Sequence, residues 1–374
     1  MKRRHLLNSI TTGGATTATL AALTHPTSVA VEAQSQPQIR WKMTTSWPTS
    51  LDTLYGAAQT VARRVSEMTD GRFTIQVFAA GEIVPGLQVL DAVQQGTVEC
   101  GHSASYYYIG KNPALAFGTA VPFGLNAQQQ NAWLYKGGGN EALNQIYADF
   151  NTIAFPAGNT GVQMGGWFKR EINTVADLQG LKMRIPGLGG EVLSRLGVNV
   201  QVLPGGEIFL ALERGAIDAA EFAGPYDDER LGLNNAAKFY YYPGWWEAGP
   251  SLHLLVNLMA WKKLPKVYQE ILKTSAIEAN MECLAKYEAQ NPKALNLLIK
   301  NGAELRTFSP EILEAAQKIS VELFQDKSAE SQSFQQTYQP WKKFRDAVFT
   351  WNAVGELAYN NWVIANSKLE IDQK

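Results

Sequence analysis

Arg184 stands in LKMRIPG, a strand-like run whose flanking Met183 and Ile185 are core residue types. A guanidinium buried without a partner is strongly unfavourable, so Arg184 must either close an internal salt bridge with a nearby Glu or clamp a ligand carboxylate. Two carboxylates share such surroundings: Glu221 in Ala219-Ala220-Glu221-Phe222, and Glu247 after Gly244-Trp245-Trp246. Carboxylates beside bulky aromatics are paired or bound to a cation, and hard cations take carboxylate, amide and carbonyl oxygens. Glu221, Glu247 and the amide of Gln163 would supply that set. Tyr106 to Tyr108, Tyr240 to Tyr242, Trp245 and Trp246 could wall a small site and aim hydroxyls into it, or could all be core.

Other chemistries are poorly represented. Of four histidines, His5 and His25 fall in a leader, which leaves His102 and His253. The run GHSAS (101 to 105) follows a nucleophile elbow for three residues and then fails at Ser105, where a second glycine is required. Gly187 to Gly190 lacks the Walker lysine and the dinucleotide spacing. Cys100 and Cys283 could pair in an oxidising compartment, although lone cysteines among apolar neighbours are more often inert core residues.

The elements that must position these groups begin with an address. Lys2, Arg3 and Arg4 precede a diluted apolar stretch from Leu6 to Leu23 and small residues up to Ala33, the order of an export signal and similar to the twin-arginine type. The 374 residues allow two domains, and 45% hydrophobic with 18% charged residues describes a globular chain. A net charge of −1 argues against nucleic acid as a partner, and no run after Ala33 has the length of a membrane span. Leu252 to Trp261 reads as a buried strand.

Ile39 to Ser46 reads as a strand, Leu54 to Met68 as a helix stopped by Gly71, and Phe73 to Val77 as a second strand, the grammar of an α/β fold with a largely parallel sheet. Gly158-Asn159-Thr160-Gly161 predicts a turn leading into a strand over Val162 to Phe168, where Gly165 and Gly166 permit close backbone approach. LDAVQQGTVE (90 to 99) overlays FLALERGAID (209 to 218) without gaps, one structural idea used in two lobes. Ligands of such sheets bind beyond the carboxyl ends of strands. After Pro340 a stripe from Trp341 to Ala365 predicts a long terminal helix, which either packs on its own lobe or is exchanged in a homodimer.

The chain after residue 33 resembles the solute receptors of TRAP transporters, through GNTGVQMGGWF (158 to 168), LKMRIPG (181 to 187), ALERGAIDAAEFAGPYDD (211 to 228) and YYYPGWWEAGP (240 to 250). It is most similar to the branch that binds 2-oxo acids such as pyruvate, and related 2-hydroxy acids, with a metal ion. The resemblance implies a two-lobed periplasmic binding protein fold of α/β class with a central cleft and a long C-terminal helix. It assigns 1–33 to the signal, 34–157 plus about 235–290 to lobe 1, 158–234 plus about 291–335 to lobe 2, and 336–374 to the terminal helix. It implies a receptor, not an enzyme, that delivers a small organic anion to membrane permease subunits. Carried over by position, Arg184 would clamp the carboxylate with Asn159 as a second donor. Tyr106 or Tyr107 would reach the ligand, and Gln163, Glu221, Glu247 and the carbonyl of Phe222 would hold calcium or sodium. Phe222 stands where the family often has tryptophan, which affects packing around the substrate. Asp228 is expected to be structural. Arg184, both glutamates and a monoanion leave two net negative charges, which calcium would neutralise and sodium would halve. Alternatives are lactate-like 2-hydroxy acids, a C4 dicarboxylate, which would need a second cationic residue, and a secreted enzyme using Glu221 or Glu247 as a base.

Overall fold

In the computed structural model, which describes residues 36–367, the first elements follow the period of their apolar residues; the export-signal reading lies outside the described residues. β1 (Ile39–Thr45) runs parallel to β2 (Phe73–Phe78), and the helix Leu54–Met68 between them buries Leu54, Ala58, Val61 and Val65. Gly71, at φ 73°, closes that helix by donating its N–H to the Ser66 carbonyl at 2.8 Å.

Among the described residues eleven strands form two sheets. The first holds β1, β2, β3 (Cys100–Ser103), β4 (Thr152–Asn159) and β10 (Ser251–Asn257) in the order β2-β1-β3-β10-β4. The second holds β5 (Gly166–Phe168), β6 (Lys182–Arg184), β7 (Asn199–Gln201), β8 (Ala219–Ala220), β9 (Phe239–Tyr242) and β11 (Glu304–Thr307) in the order β11-β9-β5-β8-β6-β7. Taken from β7, the second sheet repeats the first position by position, with β11 added outside. In both, the fourth strand runs antiparallel to its two neighbours: β10 between β3 and β4, and β5 between β8 and β9. Each of these strands follows a connection between the sheets, 160–165 before β5 and 243–250 before β10.

Several sequence expectations need correction. β9 belongs to the second sheet, so the return to lobe 1 lies after Tyr242 and not near residue 235. The tyrosine run is kept there by β5, with the Trp167 and Tyr240 rings stacked at 4.0 Å. Asn159 closes β4 in the first sheet instead of opening lobe 2. The strand expected over Val162 to Phe168 shortens to β5, because Gly161 and Gly166 take positive φ. A Cβ at Gly166 would stand 2.5 Å from the Ala220 carbonyl oxygen, the close approach that its glycine permits. β10 stops at Asn257, whose side chain accepts from the Met259 and Ala260 amides and starts the helix Leu258–Lys263.

The 35-residue helix Lys266–Lys300 packs on β4, on Leu54–Met68 and on the short helix Pro225–Arg230, and so touches both halves. The terminal helix starts at Gln332, capped by Ser331, and carries Pro340 inside it. Phe334 and Tyr338, packed with Phe117 and Phe324, hold the turns that precede that proline. Gly355 separates a final helix, Glu356–Asn366. Its stripe divides: Trp341 and Phe344 pack on Phe117 and Trp133, whereas Trp351 and Trp362 are 70% and 72% exposed. Among the described residues no helix is long and apolar enough to cross a membrane.

Candidate functional site

The carboxyl ends of β6 and β8 place Arg184 and Glu221 side by side. Arg184 follows Met183 on β6, which pairs with β8 through Arg184 and Ala220, and the next residue is Glu221. Both side chains are buried. One Arg184 terminal nitrogen, Nη1, donates to the Glu221 carboxylate and, at 2.9 Å, to its backbone carbonyl; Nε donates to the Leu203 carbonyl at 3.0 Å. The internal ion pair is therefore formed. The other terminal nitrogen, Nη2, makes a long 3.5 Å bond to the Tyr107 hydroxyl.

Tyr106 and Tyr107 come from the first sheet, on the helical turn Ser105–Tyr108 that follows β3. The Tyr106 hydroxyl donates to Glu247 at 3.5 Å. Glu247 belongs to the 243–250 connection and not to lobe 1, because its backbone is sewn to the other connection. The Gln163 amide donates to the Glu247 carbonyl at 3.1 Å, and the Gly244 amide to the Gln163 carbonyl at 3.2 Å. The side chain of Asn159 joins the same seam, donating to the Gly249 carbonyl and accepting from Gly161 N. It holds the two connections together with its oxygen and one N–H of its amide.

Two buried carboxylates share one guanidinium. Burial, with the Glu221 charge added to it, holds Glu247 well above the usual carboxylate range. Burial also pushes Glu221 up to about 8, against the pull of Arg184. Arg184 stays protonated: burial pulls it down, but the Glu221 charge, joined by Tyr107, Tyr106 and Glu247, outweighs that. A further cation would relieve this imbalance. At this site the buried oxygens Gln163 Oε1 and Glu221 Oε2 lack partners, and Gln163 itself is oriented by its Nε2 donating to Thr160 Oγ1 at 3.2 Å. Among the described residues no three His, Cys, Asp or Glu gather as metal ligands. The set available, two carboxylates, an amide and backbone carbonyls, fits a hard, oxygen-loving ion and not zinc.

Phe222 is buried, its ring 5.6 Å from the Arg184 guanidinium carbon and lying against the backbone of Gly205. Leu203 and Gly205 were not anticipated, and only the Leu203-Pro204-Gly205 turn signal could have drawn attention to them; Thr160 was read as part of a turn and not as a support for Gln163. Asp228 accepts from the Tyr240 hydroxyl at 2.6 Å, from Trp167 Nε1 at 3.1 Å and from Ala223 N at 3.3 Å, and so fastens the turn after Phe222 to β5 and β9. The remaining titratable candidates lie away from the site. His102 accepts from Trp47 Nε1 at 2.7 Å and bonds the Ala157 carbonyl at 3.1 Å, and burial drops it to about 4. His253 is buried and falls to about 3. Cys100 and Cys283 are free and buried, and burial pushes the Cys283 thiol up to about 12.

Known proteins share this fold. Residues 43–331 match the model of the bacterial extracellular solute-binding proteins, family 7. A monocarboxylate 2-oxoacid-binding periplasmic protein of Nostoc is 64% identical over 362 residues, 97% of this chain and 99% of that one. A TRAP transporter solute-binding protein of Bordetella bronchiseptica, a dimer with copurified calcium and picolinate in one site and the other site apo, superposes with a TM-score of 0.87 at 49% identity, covering 88% of this chain and 98% of that one. Receptors from Colwellia psychrerythraea, with calcium and pyruvate, and Pseudoalteromonas atlantica, with sodium and pyruvate, each give 0.84 at 38% identity, covering 87% of this chain and 99% of theirs. With its two sheets joined by two connections and its buried carboxylate site, the chain belongs to family 7 of the bacterial extracellular solute-binding proteins, receptors of the TRAP type and not enzymes.

Proposed function

We propose that this chain is a periplasmic receptor that binds a small 2-oxo monocarboxylate of the pyruvate type, together with a cation, and hands it to the permease of a TRAP transporter. The observation that carries this reading is the buried trio of Arg184, Glu221 and Glu247, whose charges do not balance and whose neighbours include two unpartnered oxygens. Arg184 Nη2, held only by the long Tyr107 bond, is the guanidinium edge that meets the cargo carboxylate. Gln163, Glu221, Glu247 and the Phe222 carbonyl hold the ion. When bound, that ion supplies positive charge to the carboxylate and oxo oxygens of the cargo. Tyr106 and Tyr107 exclude water and orient the anion with their hydroxyls. The relatives that carry pyruvate with calcium or sodium support both parts of the reading. A single cationic clamp favours a monocarboxylate over a C4 dicarboxylate.

The exposed Trp351 and Trp362 support a homodimer built through the terminal helices, in which a second copy covers them. Calorimetry on residues 34–374 tests the main reading: pyruvate is titrated before and after chelation, then with calcium or sodium restored. Binding that vanishes on chelation and returns with one ion is expected. Binding indifferent to every ion would remove the cation, and no binding of any 2-oxo acid would remove the cargo.

A further inference from the structure

Arg184, Glu221, Glu247 and Tyr106 are buried, with Tyr106 supplied by the first half and Arg184 and Glu221 by the second, so an anion held among them leaves only when the halves separate. The loop 46–53, which follows β1, meets the second half away from the two connections, because β3 stands between β1 and β10. There Thr53 Oγ1 donates to Asp227 Oδ1 at 2.6 Å, and both residues are buried. On the rim of this contact Arg230 donates to the Ser50 carbonyl at 3.1 Å and to Asp52 at 3.4 Å, and the Tyr226 hydroxyl donates to Asp52 at 3.3 Å. Lys286 of the long helix steadies Asp52, donating to its carbonyl at 2.7 Å and pairing with its carboxylate at 2.9 Å. Two details separate this contact from ordinary packing. Thr53 occupies the N-cap position of the helix Leu54–Met68 but makes no capping bond, and its hydroxyl is given to Asp227 instead. Asp227 in turn shares a short segment with Glu221 and Phe222, and its neighbour Asp228 fastens that segment to Trp167 and Tyr240.

We infer that Thr53 and Asp227, with Asp52 and Arg230 on the rim, form a latch between the halves that holds the loaded receptor closed, tied through the segment 221–228 to the groups proposed to hold the ion. Thr53 is then a positioning residue for retention of the cargo, although it stands outside the proposed site. The inference rests on the receptor reading above and adds to it the residues that keep the halves together. The latch forms after the anion has docked and breaks before it leaves, so its loss speeds release and leaves association alone.

The test measures association and release of pyruvate by stopped-flow tryptophan fluorescence in calcium, on residues 34–374, for the native chain, Thr53→Val, Arg230→Gln and Thr69→Val. Thr69 is the control: it ends the same helix and bonds within the first half, donating to the Val65 carbonyl at 2.7 Å and accepting from Phe73 N at 3.0 Å. Arg230 is exposed, so its variant remains informative if Thr53→Val folds poorly. Release is expected to quicken by about tenfold or more in Thr53→Val, which loses a hydrogen bond to a charged group. In Arg230→Gln, which loses a partly exposed ion pair, it quickens by about two- to fivefold. Association stays within about twofold of the native rate in both, and Thr69→Val lowers the unfolding midpoint while releasing pyruvate at the native rate. Unchanged release in the latch variants that fold, an equal acceleration by Thr69→Val, or association slowed as much as release is quickened would overturn the latch. A native chain that binds no 2-oxo acid would bring down the receptor reading, and the latch with it, before any variant is compared.

Discussion

The two copies of the helix-glycine-strand motif are built alike and do different things. At the end of the first, Glu99 accepts the backbone N–H of Lys42 at 2.8 Å; at the end of the second, Asp218 accepts that of Lys182 at 3.0 Å. Met43 then pairs with Cys100, and Met183 with Ala219. One step further, Thr44 faces Gly101 where Arg184 faces Ala220, and the next residues are His102 and Glu221. In the first frame the polar groups are neutral and mostly closed on one another: His102 between Trp47 and Ala157, and Ser103 between Ser46 and the Tyr108 hydroxyl. The second frame holds a full charge pair and an unpartnered carboxylate oxygen. Identical backbone support therefore says where a site can stand, and only the residue at the strand end decides whether it is core or receptor.

Exchanging groups at matched positions tests this contrast. The largest effect is expected for Arg184→Ala, which removes the proposed carboxylate clamp and leaves Glu221 buried without its partner. Binding should fall at least about a hundredfold and stability by roughly 3 to 5 kcal/mol, whereas Thr44→Val at the matched position removes an unpartnered buried hydroxyl and should be neutral or slightly stabilising. Calorimetry beside chemical denaturation separates the two, and equal losses would mean that the frames are not distinct. Next come Glu221→Gln and Glu247→Gln: calcium at a hundred times its Kd should stabilise the native chain by about 2.7 kcal/mol and either variant by much less. A calcium shift in Tm retained by both variants would place the ion elsewhere. His102→Leu, by contrast, strands the Trp47 N–H and the Ala157 carbonyl and should cost roughly 1 to 3 kcal/mol per stranded group while leaving pyruvate affinity unchanged; loss of affinity would show that the first frame also serves the cargo.

The smallest effect concerns pH. Burial lifts Asp227 from 3.8 to about 6, although Thr53 and Tyr287 both donate to it. Between those values the folded chain keeps a proton that the unfolded chain has released, so its contribution to stability is full below about pH 4 and is lost as pH rises through 6. Asp227→Asn should flatten that part of the stability curve by roughly 2 kcal/mol or less. An unaltered slope in denaturation series at pH 4, 5 and 7 would exclude it as the source.

Much of the site was legible because burial is costly for charge. An arginine between Met183 and Ile185, and glutamates beside Phe222 and Trp246, announce themselves by standing where charges do not belong. The motif repeat foretold two matched sheets because a glycine at the helix end followed by an acidic step is a backbone requirement. Other features carry no such mark. The helix Lys266–Lys300 is touched from several sides, so its apolar residues do not keep to one face, and Pro292 lies inside it. The membership of β9 depends on its pairing with β5, a partner more than seventy positions away. Sequence does not reveal that one N–H of the Asn159 amide goes to Gly249 and that its oxygen accepts from Gly161, which ties the residue to the two connections.

The seam between the two connections, where Gln163 and Glu247 bond backbone to backbone, has a kinetic consequence. The connections that would have to flex for the halves to part carry Gln163 and Glu247, two of the groups proposed to hold the ion, so in the proposed receptor escape of the cargo and parting of the halves would share one barrier. Residence time would then be governed by how fast the ion leaves. Ions of different charge would give the same receptor different release rates for the same anion, a clock that the cell could reset through its ionic surroundings without altering a single residue.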